Sequence, residues 1–138
     1  MLNLLRFDPD PARAAFWMAA ESLVRHGTDD GYGWHALLTA CFGALAPKPF
    51  RVLARPGRQP QILAYTNSEL EQLREHASDF ADPLGVAALR PDRADSKPMP
   101  IIREGRRLGF EVRLRPTVRR DHNGDRARVT EVDVYVAA

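Results

Sequence analysis

Apolar and polar positions along the chain change period several times, and each change marks an element. Leu2 to Phe7 is a short apolar run ahead of the turn-forming pair Asp8-Pro9, and it predicts a strand. Asp10 then stands where an N-cap is needed, with Pro11 at the first helical position. A stripe of Ala12, Ala15, Phe16, Ala19 and Leu23 predicts a helix from Pro11 to Arg25, ended by Gly27. Asp29 or Asp30 is the expected cap of a second helix, which starts around Tyr32 and must stop before Pro47 and Pro49. "PFRVLAR" and "QILAYT" predict two strands joined through Pro56-Gly57. A further helix follows to about Phe80, capped by Thr66, Asn67 or Ser68, with Glu71 completing a capping box if Ser68 is the cap.

Beyond Phe80 the periodicity breaks up. Residues 81–107 read as an irregular region containing a short helical turn in "ADPLGVAAL" and a proline-punctuated loop in "RPDRADSKPMP". "RLGFEVRLRPTV" then alternates, with Leu108, Phe110, Val112 and Leu114 expected to point inward. "DHNGD" is a turn tip, and "ARVTEVDVYVAA" alternates again, by periodicity a final strand, although the resemblance given below also allows the start of a helix there. Setting aside the extra N-terminal helix, the order is β-α-β-β-α-β. That is the α+β, ferredoxin-like (RRM-like) pattern, an antiparallel sheet with helices on one face, spanning 1–138 as one domain.

The helix around Tyr32 has two faces of different character. At 100° per residue Trp34, Leu37, Leu38, Cys41 and Leu45 share one apolar arc, whereas Tyr32, His35 and Thr39 group together away from it. A core histidine belongs inside the arc, and His35 lies outside it. An imidazole and a phenol projecting from one exposed face can place an acid/base group beside a hydroxyl, so this pair is the first candidate for a site.

Composition describes a soluble globular chain: 138 residues, 44% hydrophobic, with a mean hydropathy of −0.37. No apolar run approaches membrane-spanning length, and "MLNLLRF" does not read as a signal peptide, so the expected location is cytoplasmic. The lone Cys41 excludes an internal disulfide and, without a Cys/His spacing pattern, argues against a zinc site. Its place in the apolar arc makes it core, as are Trp34 and Phe42. His26 fits a helix C-terminus, and His76 and His122 read as surface residues.

Charge matters through its kind. Of 20 basic residues only Lys48 and Lys97 are lysines, which leaves 18 arginines. Between Arg103 and Arg128 stand nine arginines against four acids, Glu104, Glu111, Asp121 and Asp125. Planar guanidinium groups suit phosphate, and such a patch is the footprint expected for nucleic acid. Arg106, Arg107, Arg113, Arg115, Arg119 and Arg120 are its candidate contacts.

Four stretches together resemble the CasE family, the type I-E CRISPR-associated endoribonucleases that cut precursor CRISPR RNA. "GYGWHALLTACFG" is similar to the family's Tyr-x-x-His at a helix start, and "PFRVLAR" with "QILAYT" looks like its central strand pair. "SKPMP" and then "RLGFEVRLRPTVRR" with "GDR" resemble its Arg-rich strand and what flanks it. The family carries two ferredoxin-like domains and a C-terminal glycine-rich loop, so the resemblance implies a half-length chain in which the second domain is absent.

What the resemblance implies is metal-independent, cofactor-free cleavage of a CRISPR repeat hairpin. The 2′-hydroxyl attacks the neighbouring phosphate, His35 and Tyr32 being catalytic and an arginine of the basic group neutralising charge. Implied partners are the repeat RNA hairpin and Cascade subunits, with no direct DNA contact and no membrane. A homodimer or a partner carrying the missing domain would complete the chain. Two other readings stand beside this one. A half-length homologue can bind RNA or Cascade subunits without cleaving, as a decoy or inhibitor of type I-E immunity does, and the chain can be a plain RNA-binding ferredoxin-like module.

Overall fold

In a computed structural model the first strand, β1 (Asn3–Phe7), lies in the middle of a four-stranded sheet. The structure describes residues 1–23, 30–112, 117–120 and 130–133, the last two segments and residue 30 by backbone alone. Two units are formed, Met1–Ile101 and Ile102–Ala138.

The first unit runs β1, α1 (Pro11–Ala20), α2 (Asp30–Phe42), β2 (Phe50–Leu53), β3 (Gln61–Thr66), α3 (Leu70–Phe80), α4 (Pro83–Leu89) and β4 (Asp95–Pro98). Sheet order is β2-β3-β1-β4 with every pairing antiparallel. Strands β1 and β2 thus run parallel with β3 between them, and β3 and β4 with β1 between them. This split β-α-β arrangement is the ferredoxin-like topology expected from the element order. Alternation along the strands decides which face the helices cover: Leu5, Phe7, Ile62 and Ala64 are buried, whereas Leu4, Leu63 and Tyr65 are half-buried. Leu37, Leu38, Phe42, Leu73 and Leu89 meet the buried strand residues from the helices, with the Phe42 ring tilted on Phe7.

Where the expected pattern fails, the cause is local. Helix α1 ends at Ala20, not near Gly27, because Ser22 takes a left-handed conformation. Leu23 N–H then bonds the Met18 carbonyl at 2.9 Å and Ser22 N–H the Ala19 carbonyl at 3.1 Å, the Schellman closure built here on serine instead of glycine. Its buried stripe is Ala14, Trp17 and Met18, and Phe16 points outward. In so apolar a helix the periodicity leaves the face undecided, and the larger Trp17 takes the core position over Gly85, where no side chain intervenes. Helix α3 is not capped by Thr66, Asn67 or Ser68. Its N-cap is Glu69, without a side-chain bond, and the Thr66 hydroxyl instead accepts from Ser68 N–H at 3.0 Å.

The largest correction concerns residues 81–107. This stretch contains helix α4, capped by Asp82, and the fourth strand itself. Strand β4 has no apolar alternation because it is an exposed edge carrying Lys97 and Pro98, so its sequence looks like a loop. It is held by pairing, Arg6 opposite Asp95 in register and ion-paired with it, and by Met99 N–H on the Leu2 carbonyl at 2.8 Å. The alternating stretch 107–118 is a strand only at its end: residues 107–112 form none, with Leu108, Phe110 and Val112 exposed, whereas Thr117 and Val118 fall in a strand of the second unit.

In the second unit β5 (Thr117–Arg120) pairs antiparallel with β6 (Thr130–Asp133). The expected final strand is thus present over Thr130–Asp133. Gly27, His26, Asp29, His122, Arg113, Arg115 and the "DHNGD" tip lie outside the described residues.

Candidate functional site

Helix α2 is placed by its buried face. Leu37, Leu38, Cys41 and Phe42 are each 1% exposed or less, and Trp34 and Leu45 pack half-buried beside them. Burial of the Cys41 thiol, reinforced by the Asp82 carboxylate, pushes its pKa up to about 12, which makes it inert core. The opposite face carries Tyr32, 62% exposed, and His35 and Thr39, both exposed. One helical turn separates Tyr32 from His35, so their side chains are neighbours on the surface.

Two contacts fix the local geometry. The His35 ring stacks on Phe50, with centroids 6.4 Å apart and planes at 14°. Phe50 opens β2, an edge strand of the sheet, so the imidazole lies against the sheet margin. Thr39 Oγ1 donates to the His35 carbonyl at 2.9 Å, which ties up that hydroxyl's proton within the helix. Between Tyr32 and His35 stands Gly33, where a Cβ would come within 2.6 Å of Met18 Sδ. The glycine therefore leaves room for the Met18 side chain of α1 behind the candidate pair.

Tyr32 and His35 are thus both exposed, one turn apart on α2. Arg106 and Arg107 lie in the second unit, exposed and outside any strand. Arg119 and Arg120 are in β5, opposite Glu131 and Thr130, and their side chains are not described. Arg113 and Arg115 lie outside the described residues. Among the described residues no group of three His, Cys, Asp or Glu side chains is placed to hold a metal ion, and no helix is long and apolar enough to cross a membrane.

Phe50 is the residue of this site that the sequence reading missed. Its signal is long-range, since apolar alternation marks Phe50 as a strand residue but says nothing of which helix residue lies over it. A cluster of arginines on the β2–β3 connection, Arg55 and Arg58, also passed unnoticed beside the denser basic stretch further on.

Comparison with known proteins gives a family match over most of the chain. A family model described as CRISPR associated protein matches residues 2–136. That is nearly the whole chain, which therefore belongs to this family. No curated protein and no solved structure matches it.

Proposed function

We propose that this member of the CRISPR-associated protein family is a metal-independent endoribonuclease of the CasE, type I-E kind. It cuts precursor CRISPR RNA at the repeat hairpin and stays on the product as a subunit of Cascade. The observation that carries the reading is the paired exposure of Tyr32 and His35 on α2, with the His35 ring steadied on Phe50.

The chemistry follows from what such a pair can do. The 2′-oxygen attacks the adjacent phosphorus, a new P–O2′ bond forms and the P–O5′ bond breaks. The 2′-hydroxyl gives up its proton and the departing 5′-oxygen gains one, which leaves a 2′,3′-cyclic phosphate and a 5′-hydroxyl. His35 moves a proton at one of these two oxygens, since an imidazole is the side chain that changes charge nearest neutrality. The Tyr32 hydroxyl donates a hydrogen bond to a non-bridging oxygen as charge builds on the phosphorane. Aromatic stacking on Phe50 limits rotation of the imidazole, and the covalent step needs that orientation held.

Incubation of the protein with labelled type I-E repeat RNA in EDTA tests this. Cleavage at the hairpin base, lost in His35→Ala, is the expected result. Tight binding without product would instead make the chain a binder of RNA or of Cascade subunits.

A further inference from the structure

At the opposite end of β2 from Phe50, the β2–β3 connection closes over a cleft of about 190 Å³ lined by Asp8, Leu53, Arg55, Arg58, Gln59 and Gln61. Leu53 and Gln61 are the last register partners of the hairpin. The connection turns back where Arg58 N–H donates to the Arg55 carbonyl at 3.1 Å and Gly57 takes a positive φ of 72°. Both arginine side chains are thereby carried on one tight turn.

Asp8 is the carboxylate of the cleft, and its groups are already engaged. Oδ1 accepts from Gln61 Nε2 at 2.9 Å, Oδ2 lies 3.6 Å from Arg6 Nε, and its carbonyl accepts from Arg90 Nε at 2.8 Å. Arg55 and Arg58 make no ion pair and no side-chain hydrogen bond with any described residue. A concave surface thus carries two unneutralised guanidinium groups, beside the carboxamide of Gln59 and opposite a carboxylate with its own cation. Unpaired arginines in a polar cleft offer several donors to tetrahedral oxyanions.

We infer that this cleft is a phosphodiester subsite, which takes the backbone of the RNA strand away from the reacting phosphate. The inference rests on the RNA-directed reading above. Strand β2 runs from the Phe50 that supports His35 to Leu53, two residues before Arg55, so at about 3.3 Å per residue at most about 16 Å of chain separates the two. A strand passing the α2 site along the edge of β2 therefore reaches the cleft several phosphates later. Arg55 and Arg58 are positioning residues: they hold RNA and do not touch the reacting atoms.

The test measures binding of labelled repeat RNA to the full chain over a range of salt concentrations. Arg55→Ala/Arg58→Ala is expected to weaken binding about tenfold at low salt and to flatten the slope of log K against log salt by about 1.5. Arg55→Lys/Arg58→Lys restores the slope but only part of the affinity. Arg13→Ala/Arg93→Ala, which removes the same charge elsewhere, leaves binding within about twofold of wild type. Thermal melts confirm that each variant folds. Equal slopes and affinities for the cleft and control variants would overturn the inference, and so would a wild-type chain that binds no RNA. A flattened slope in a protein that never cleaves would leave the subsite standing while refuting the nuclease. Cleavage with an unchanged slope would do the reverse.

Discussion

The imidazole of His35 lies nearly parallel to the Phe50 ring, with centroids 6.4 Å apart and planes at 14°, so an edge strand of the sheet supports the imidazole on the exposed face of α2. Ring pairs of this kind contribute about 0.5–1.5 kcal/mol beyond burial, which corresponds to roughly 2- to 10-fold in rate if all of it serves orientation. Phe50→Ala should therefore slow single-turnover cleavage by about that factor with RNA affinity unchanged. Phe50→Tyr should restore the rate. An equal loss in affinity and rate would mean that Phe50 only supports the fold.

Gly33 leaves room for the Met18 side chain where α1 packs on α2. A methyl group there meets Met18 Sδ at 2.6 Å, and overpacking costs about 1–3 kcal/mol, against about 1 kcal/mol gained from replacing a helical glycine. Gly33→Ala should lower stability by about 1 kcal/mol. In a double-mutant cycle with Met18→Ala the two losses should add to less than their sum, because the shortened side chain makes room for the methyl. Strict additivity in urea unfolding would contradict the contact.

Arg74 ties α3 to the segment that leads into β4. Its Nε donates to the Pro91 carbonyl at 3.0 Å and its Nη2 to the Asp92 and Ala94 carbonyls at 3.1 and 2.9 Å, while Nη1 pairs with Glu71. Arg74→Ala removes the guanidinium donor from the part-buried Ala94 carbonyl, while the Pro91 carbonyl keeps Ala94 N–H, and should cost about 2 kcal/mol in urea unfolding. Lysine has no planar fork with which to reach three carbonyls, so Arg74→Lys should recover less than half of the loss. A change under about 0.5 kcal/mol for Arg74→Ala would show that β4 is held without it.

The Cys41 thiol titrates near 9.0 when free of its surroundings but is pushed up to about 12 by burial and then by the Asp82 charge. Between those values the folded chain keeps a proton that the unfolded chain has lost, so stability falls as pH rises. The slope from this one group reaches about 1.4 kcal/mol per pH unit. Comparing wild type with Cys41→Ala from pH 8 to 11 isolates it, since other titrating groups are common to both. Parallel stability curves would contradict the burial of the thiol, as would its modification in the native protein at pH 8.

Much of this was legible in the chain because it depends on local pattern. Helix α2 and its two faces follow from the spacing of Leu37, Leu38 and Cys41 against Tyr32 and His35, and β1, β2 and β3 follow from short apolar runs bounded by turn residues. The fourth strand was not legible. Asp95–Pro98 contributes no apolar face and exists through its pairing with β1 and the Arg6–Asp95 ion pair. Conversely, Leu108, Phe110 and Val112 alternate as a strand should, yet they are exposed, since alternation without a neighbouring strand is not enough. Ser22 hid the end of α1 by taking a conformation usually left to glycine. At the site, Tyr32 and His35 could be found from one helix, whereas Phe50 and the cleft beneath Arg55 and Arg58 needed the topology of the sheet.

The central claim is that His35 moves a proton during RNA cleavage, and single-turnover cleavage of labelled repeat hairpin by wild type and His35→Ala in EDTA tests it most directly. General acid–base catalysis is worth about 10²- to 10⁴-fold, so the variant should bind RNA as wild type does and cleave slower by at least the lower of these factors. Tyr32→Phe, which removes one donor, should lose less. A His35→Ala protein that cleaves at the wild-type rate, or a wild-type protein that binds the hairpin tightly and never cuts it, would contradict the account.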